Sequence, residues 1–367
     1  MIEILFLTAL LTVTFVFGMV AGYRKTFPFS LLWRMRHRLL LQQSVADDGP
    51  ADFVLEVAST EVLHERRQAL ADFIWGPAGL PLSRMPDELN GSASVPLARY
   101  FSSHSSTITW TVRMDHGIDS RVLVLTPRHL TQATTIIYQQ GHEGSAWAGR
   151  HVIDKFLKRG HRIAVLEMPL MGANSRPVVR LRRHGLVRLQ DHDFFRLLDH
   201  EFGGNSIRFF IEPVIASINQ LVAGGATRFA MVGWSGGGWT TTLSAALDTR
   251  ISRSYAVASS LPFSLRRRGE LSDYENHLPE LYELVNYPEL YLLSAHGTSR
   301  AAIQILNEFD PVAWSGRRGL LYEDCVQQAL SRLGGGGFRC IIDSSWVGHG
   351  ISRRAMKEIA QDLDCEF

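Results

Sequence analysis

Residues 229–246 read FAMVGWSGGGWTTTLSAA, and this stretch constrains the fold more than any other in the chain. An apolar run ends at Gly233-Trp234-Ser235-Gly236-Gly237, and a run of small, helix-compatible residues follows. That is G-x-S-x-G with a strand predicted before it and a helix after it, so the serine sits on a tight strand-to-helix turn with its hydroxyl clear of the sheet. Gly233 and Gly237 keep side chains away from the sharp backbone, and a helix start offers free N–H groups to an anion. Ser235 is therefore the candidate nucleophile.

A serine hydroxyl needs a base to take its proton, and the base works best when a third group orients it. After such a turn the expected chain order is Ser, then Asp or Glu, then His. Residues 301–306 (AAIQIL) read as a buried strand running into Asn307-Glu308-Phe309-Asp310-Pro311, and residues 338–342 (FRCII) as another, running into DSSWVGHG. Both polar clusters follow strands, the edge at which open α/β sheets form ligand sites. Asp310 is the candidate acid and His349 the candidate base. Glu308 and Asp343 compete for the acid role, and Asp310-Pro311 also reads as a turn or a helix start.

An oxyanion needs two backbone N–H donors, one just after the nucleophile and one after an earlier strand. Gly236 supplies the first. For the second, the short strand TIIY (135–138) leads into QQGHEGS, where the His142 N–H is favoured and that of Glu143 comes next. The same glycine-rich turn lacks the Lys-Ser/Thr of a phosphate-cradling loop, which argues against nucleotide binding.

With these motifs in place the chain resembles the α/β-hydrolase superfamily, whose members include esterases, lipases and serine peptidases. The similarity rests on GHEG (141–144), GWSGGG (233–238), NEFDP (307–311) and SWVGHGIS (345–352), spans residues 105–365, and extends to EMPLMG (167–172). It implies a mostly parallel sheet with helices on both faces, a Ser235–His349–Asp310 triad, an ester, thioester or amide substrate, and no cofactor. Many members carry His-Gly before the oxyanion residue, where this chain has Gln140-Gly141.

Composition is that of a globular protein: 46% hydrophobic and 20% charged residues among 367. With 38 basic and 36 acidic side chains the net charge is +2, which argues against nucleic acid as a partner. Cys325, Cys340 and Cys365 lack metal or disulfide spacing, HExxH is absent, and His192 with His200 is too loose a pair to form a ligand set. No metal is expected.

Residues 4–22 (ILFLTALLTVTFVFGMVAG) carry no charge over 19 positions, about 28 Å as a helix and enough to span a hydrocarbon core. Arg24, Lys25, Arg34, Arg36 and Arg38 follow. A signal peptide carries its positive charge in front, so this segment reads as a single-pass anchor with the catalytic body in the cytoplasm.

Three regions follow: an anchor with its basic flank (1–40), a linker and helical extension (41–104), and the catalytic body (105–367). Residues 60–74 read as a helix with Thr60 as its cap, and 76–96 as a Pro/Gly-rich connector. ITWTVRM (108–114) and residues 121–125 read as an antiparallel hairpin opening the sheet, after which strands and helices alternate. Two insertions interrupt the alternation, an Arg/His-rich one at 172–205 and another at 261–297 that carries Arg266-Arg267-Arg268. Each reads either as a cover over the site or as a solvated helix–loop.

Taken together, the sequence leads to the expectation of a membrane-anchored serine hydrolase cleaving a small-molecule or lipid-like carboxylic ester through an acyl-enzyme. Two alternatives stay open. One is a peptidase or acyltransferase using the same triad; the other is a non-catalytic, membrane-tethered binding module on a hydrolase fold.

Overall fold

The computed structural model describes residues 14, 18, 55–91, 100–101, 103–142, 144–267, 270 and 272–364. The apolar segment 4–22, Glu143 and Arg268 thus fall outside the described residues, apart from Thr14 and Gly18. Among the described residues, no helix is long and apolar enough to cross a membrane.

Among the described residues, nine strands form one sheet in the order β1-β2-β3-β5-β4-β8-β9-β10-β11. They are β1 (Glu88–Gly91), β2 (His104–Val112), β3 (Ser120–Pro127), β4 (Thr134–Gln139), β5 (Ile163–Leu166), β8 (Arg228–Trp234), β9 (Ile251–Val257), β10 (Ala301–Asn307) and β11 (Gly337–Asp343). The first three pair antiparallel, β3 meets β5 antiparallel, and the rest is parallel. The hairpin expected at the start of the sheet is β2–β3. The inner strands are buried on both faces and read as apolar runs, as parallel strands between helices must.

Helices α2 (Arg150–Lys158) and α9 (Arg353–Asp364) cover one face, packing Ile153, Phe156, Met356 and Ile359 against Tyr138, Val232 and Ile303. The other face carries α4 (Arg208–Ala223), α5 (Gly236–Leu247), α7 (Tyr287–Ala295) and α8 (Leu320–Arg332). Two layers of helix around one sheet bury both of its apolar surfaces.

Several local expectations need correcting. Ser59 rather than Thr60 caps α1 (Thr60–Trp75), accepting the Val62 N–H. The connector after α1 contains β1, which adds an edge strand through the Leu89–Trp110 register. α1 itself is docked onto the body, with Arg67 donating to the carbonyls of Ala246 (2.7 Å) and Leu293 (3.0 Å). The first insertion holds a small hairpin, β6 (Val178–Leu181) and β7 (Gly185–Arg188), and then α3 (Phe195–Phe202). The second holds α6 (Pro279–Leu284) and α7, and α7 is buried on every side rather than solvated. Arg266 does not face water either: its guanidinium lies over the rings of Phe263, Tyr287 and Trp314 and donates to the Asn276 carbonyl.

The registers Gln139–Gly233, Trp234–Val257 and Asn307–Asp343 bring the C-terminal ends of β4, β8, β10 and β11 to one edge. The loops leaving that edge carry His142, Ser235, Asp310 and His349.

Candidate active site

Ser235 occupies φ 56°, ψ −126°, a strained conformation for a residue with a side chain, between the last residue of β8 and the first of α5. The turn closes because its neighbours have no Cβ. A methyl on Gly233 would strike the carbonyl of Gly237, and one on Gly237 would lie 2.6 Å from the carbonyl of Gln140. The Ser235 N–H is held by the Val257 carbonyl at 2.9 Å.

The Ser235 hydroxyl lies 2.8 Å from Nε2 of His349, and Nδ1 of His349 lies 2.8 Å from Oδ2 of Asp310. An ionised carboxylate can only accept, so the neutral imidazole that fits this geometry has its hydrogen on Nδ1 and the lone pair of Nε2 toward the serine hydroxyl. The Asp310 side chain is fully buried, and that of His349 is 6% exposed. Asp310 also fits its bland reading: Oδ1 accepts the N–H groups of Val312 (2.9 Å) and Ala313 (3.3 Å), stabilising its own turn. One oxygen holds the loop while the other faces the imidazole.

Asp343 is no rival for the imidazole. Its Oδ1 accepts the N–H (2.9 Å) and hydroxyl (2.6 Å) of Ser345, and its Oδ2 accepts the Ser352 hydroxyl. It therefore clips together both ends of the loop carrying His349. Asn307 adds a second clip, donating to the Gly350 carbonyl (3.0 Å) and accepting from the Trp346 indole (3.2 Å). Glu308 makes no bond to His349; its N–H donates to the Asp343 carbonyl.

On the opposite side of Ser235 lies the turn after β4. A methyl on Gly141 would lie 2.9 Å from the Ser235 Cβ, and one on Gly236 2.6 Å from Nδ1 of His142. Gly236 opens α5, where the first N–H groups have no intrahelical acceptor. Gln140, the departure from His-Gly, is fully buried and accepts the Tyr138 hydroxyl at 2.8 Å. Glu167, from the EMPLMG segment, ties this turn to the next loop: its two oxygens accept the N–H groups of Ala146 and Ala173, each at 2.6 Å.

Sequence reasoning missed a cluster beneath the turn after β4. Nε2 of His142 lies 3.0 Å from Oε1 of Glu275 and 3.2 Å from Nδ1 of His192, and that Nδ1 lies 3.1 Å from Oε2 of Glu275. Burial alone would raise the Glu275 pKa, but the imidazoles of His192 and His142 outweigh it and hold the carboxyl well below its usual range. Burial would likewise lower the His142 pKa, yet the bond to Glu275 and the charges of Glu275 and Asp273 hold it above the usual histidine value. Among the described residues, this is the one group of three or more His, Cys, Asp or Glu side chains arranged to hold a metal ion. The one signal of it in the sequence was the histidine content of the first insertion.

A cleft of about 850 Å³ flanks His349, lined by Tyr138, Gly149, Trp234, Trp346 and Gly350, with Arg354 among its basic residues. A second cleft, about 840 Å³ between α1 and α3, is lined by Trp75, Arg196 and Tyr274 and does not include Ser235, Asp310 or His349.

No protein-family model matches the chain, and no curated protein matches it in sequence. Solved structures do match. An acetyl xylan esterase 1 from Thermoanaerobacterium sp. is similar at TM-score 0.53 and 14% identity, over 84% of this chain and 94% of that one. An acetyl xylan esterase from Paenibacillus sp. R4 matches at TM-score 0.52 and 13% identity, over 88% and 98%. A glucuronoyl esterase from Solibacter usitatus matches at TM-score 0.52 and 12% identity, over 84% and 93%. At such identities the likeness shows the fold: a mixed α/β architecture with a large, mostly parallel sheet, shared with esterases.

Proposed function

We propose that this chain is a serine hydrolase that cleaves a carboxylic ester, with Ser235 as nucleophile, His349 as base and Asp310 as the orienting acid. The observation that carries the reading is the unbroken hydrogen-bonded line from Ser235 Oγ through His349 to Asp310, with both contacts at 2.8 Å. The esterase fold of the structural neighbours supports the ester over the amide. In the first half-reaction Ser235 Oγ attacks the carbonyl carbon while Nε2 of His349 takes its proton. The developing oxyanion is held by the N–H groups of Gly236 and His142, a donor of this kind contributing about 3–4 kcal/mol. His349 then hands the proton to the leaving alcohol. Water, activated by the same imidazole, attacks the acyl-enzyme, and the carboxylic acid departs as Ser235 recovers its proton.

Residues 4–22 are proposed to anchor the enzyme, with the body on the cytoplasmic side. The support is the uncharged run and the five basic residues that follow it within 16 positions. A small-molecule or lipid-like ester is the corresponding substrate class.

The test is fluorophosphonate labelling of the full-length chain beside its Ser235→Ala and His349→Ala forms, followed by p-nitrophenyl esters and peptide amides. Labelling confined to the unsubstituted chain, with ester turnover exceeding amide turnover, is the expected result. Ser235→Ala should lower kcat by about 10⁶-fold. A folded wild-type chain that neither labels nor turns over an ester overturns the reading in favour of a binding module.

A further inference from the structure

Three chain segments far apart in sequence aim their donor atoms at one point beneath the oxyanion turn. His142 comes from the turn after β4, His192 from a short 3-10 turn in the first insertion, and Glu275 from a 3-10 turn in the second. Glu275 is fully buried and the His192 side chain is 1% exposed. Burying a carboxylate against two imidazoles is costly unless a charge or a complete set of hydrogen bonds compensates.

Protons do not supply that set while Glu275 is ionised. Nε2 of His192 must donate to the Pro169 carbonyl at 2.9 Å, which leaves Nδ1 to face both Glu275 and His142. If Nδ1 is bare, its lone pair opposes the carboxylate at 3.1 Å. If both Nδ1 of His192 and Nε2 of His142 are protonated, two N–H groups oppose each other at 3.2 Å. If His142 is bare instead, its lone pair opposes Glu275 at 3.0 Å. Each assignment makes one of the three short contacts repulsive. A cation placed among the three atoms makes all of them favourable.

We propose that His142 Nε2, His192 Nδ1 and the Glu275 carboxylate form a binding site for a divalent transition-metal ion of the zinc class. Two imidazoles and one carboxylate are a common zinc donor set, and imidazole selects zinc-like ions over magnesium or calcium. With bonds of about 2.0–2.1 Å, tetrahedral ligand atoms stand about 3.3 Å apart, so the observed spacing needs to open by only a few tenths of an ångström. The His192–Pro169 bond is the outer-shell contact that fixes a ligating imidazole by its other nitrogen. Asp273, with Oδ2 at 3.4 Å from Nε2 of His142, stands where a fourth ligand or a solvent molecule fits. Because the ligands come from both insertions and from the oxyanion turn, the ion would pin the cover of the site to its catalytic edge. The site is independent of Ser235 as nucleophile.

The experiment is metal binding to the full-length chain, freed of metal with chelator and titrated with Zn²⁺ and, separately, Co²⁺. Expected are one equivalent of tightly held Zn²⁺ and an intense visible Co²⁺ spectrum of the tetrahedral type, both retained in Ser235→Ala. That control keeps the result separate from the fate of the esterase reading. Glu275→Gln and His192→Gln should each weaken binding by more than about 100-fold, beyond what losing an outer-shell partner costs. Absence of stoichiometric Zn²⁺ binding overturns the proposal in favour of a neutral, proton-sharing Glu275. Binding unchanged in both folded variants overturns it in favour of an adventitious surface ion. Should the variants not fold, the Co²⁺ spectrum of the wild-type chain decides, and a weak octahedral spectrum overturns the proposal.

Discussion

Oδ2 of Asp310 lies 2.8 Å from Nδ1 of His349, while Oδ1 of the same carboxylate accepts the backbone N–H of Val312. Asp310→Asn keeps the turn because an amide oxygen can replace Oδ1. Its NH₂ group then faces Nδ1 and favours the wrong imidazole tautomer. The expected loss in kcat is about 10⁴-fold, milder than for Ser235→Ala, with little change in Tm. Asp343→Asn should behave in the opposite way, lowering Tm more than kcat, because Asp343 clips the loop rather than the imidazole. Steady-state ester kinetics beside thermal unfolding separate the two; equal kinetic damage from both would sink the assignment of the acid.

Gly236→Ala tests the oxyanion side. The added methyl collides with the His142 imidazole and lies 2.8 Å from Cε of Met168, so the turn carrying the second N–H donor must shift. The first turn of a helix accepts alanine readily, so the fold should persist. Fluorophosphonate labelling and kcat should fall by about 10²–10³-fold. Undiminished turnover would remove His142 from the oxyanion role.

Glu167 bridges Ala146 and Ala173 across two loops. Glu167→Ala strands two N–H groups and should cost about 1–3 kcal/mol for each that finds no other acceptor. Chemical denaturation should show that loss of stability. Ester turnover should fall with it, since the Ala146 side of the clamp belongs to the loop proposed to carry the His142 donor. A variant as stable as wild type would show the bridge to be dispensable.

His161 is buried beside Thr134, with Nδ1 2.9 Å from its carbonyl. Burial, helped by the Arg159 charge, lowers its pKa despite that bond. The unfolded chain therefore takes up the proton first as pH falls. Its contribution to stability is fully present above the unfolded value of about 6.5 and is lost as pH falls toward the lower folded value. Comparing Tm at about pH 7.5 and about pH 5.5, wild type should lose more than His161→Gln; equal losses would show that His161 does not titrate this way.

The strand–glycine–serine–glycine–helix turn was legible in the sequence because its geometry is local. Gly233, Ser235 and Gly237 act on neighbours within a few positions, and the alternation of apolar strands with helices follows from a period that can be read directly. The candidate acid and base were legible as positions after strands, in the required order. Local patterns could not choose among Asp310, Glu308 and Asp343, since all lie close to strand ends; only the folded loops set the Asp310 carboxylate against the His349 imidazole and the Asp343 carboxylate against Ser345 and Ser352. Nor could they show α7 as core, Arg266 stacked among aromatic rings, or Ser59 as a cap. The convergence of His142, His192 and Glu275, separated by 50 and 83 residues, depends on how two insertions fold back over the sheet edge. Such contacts come from packing the whole chain, and no periodicity in the sequence encodes them.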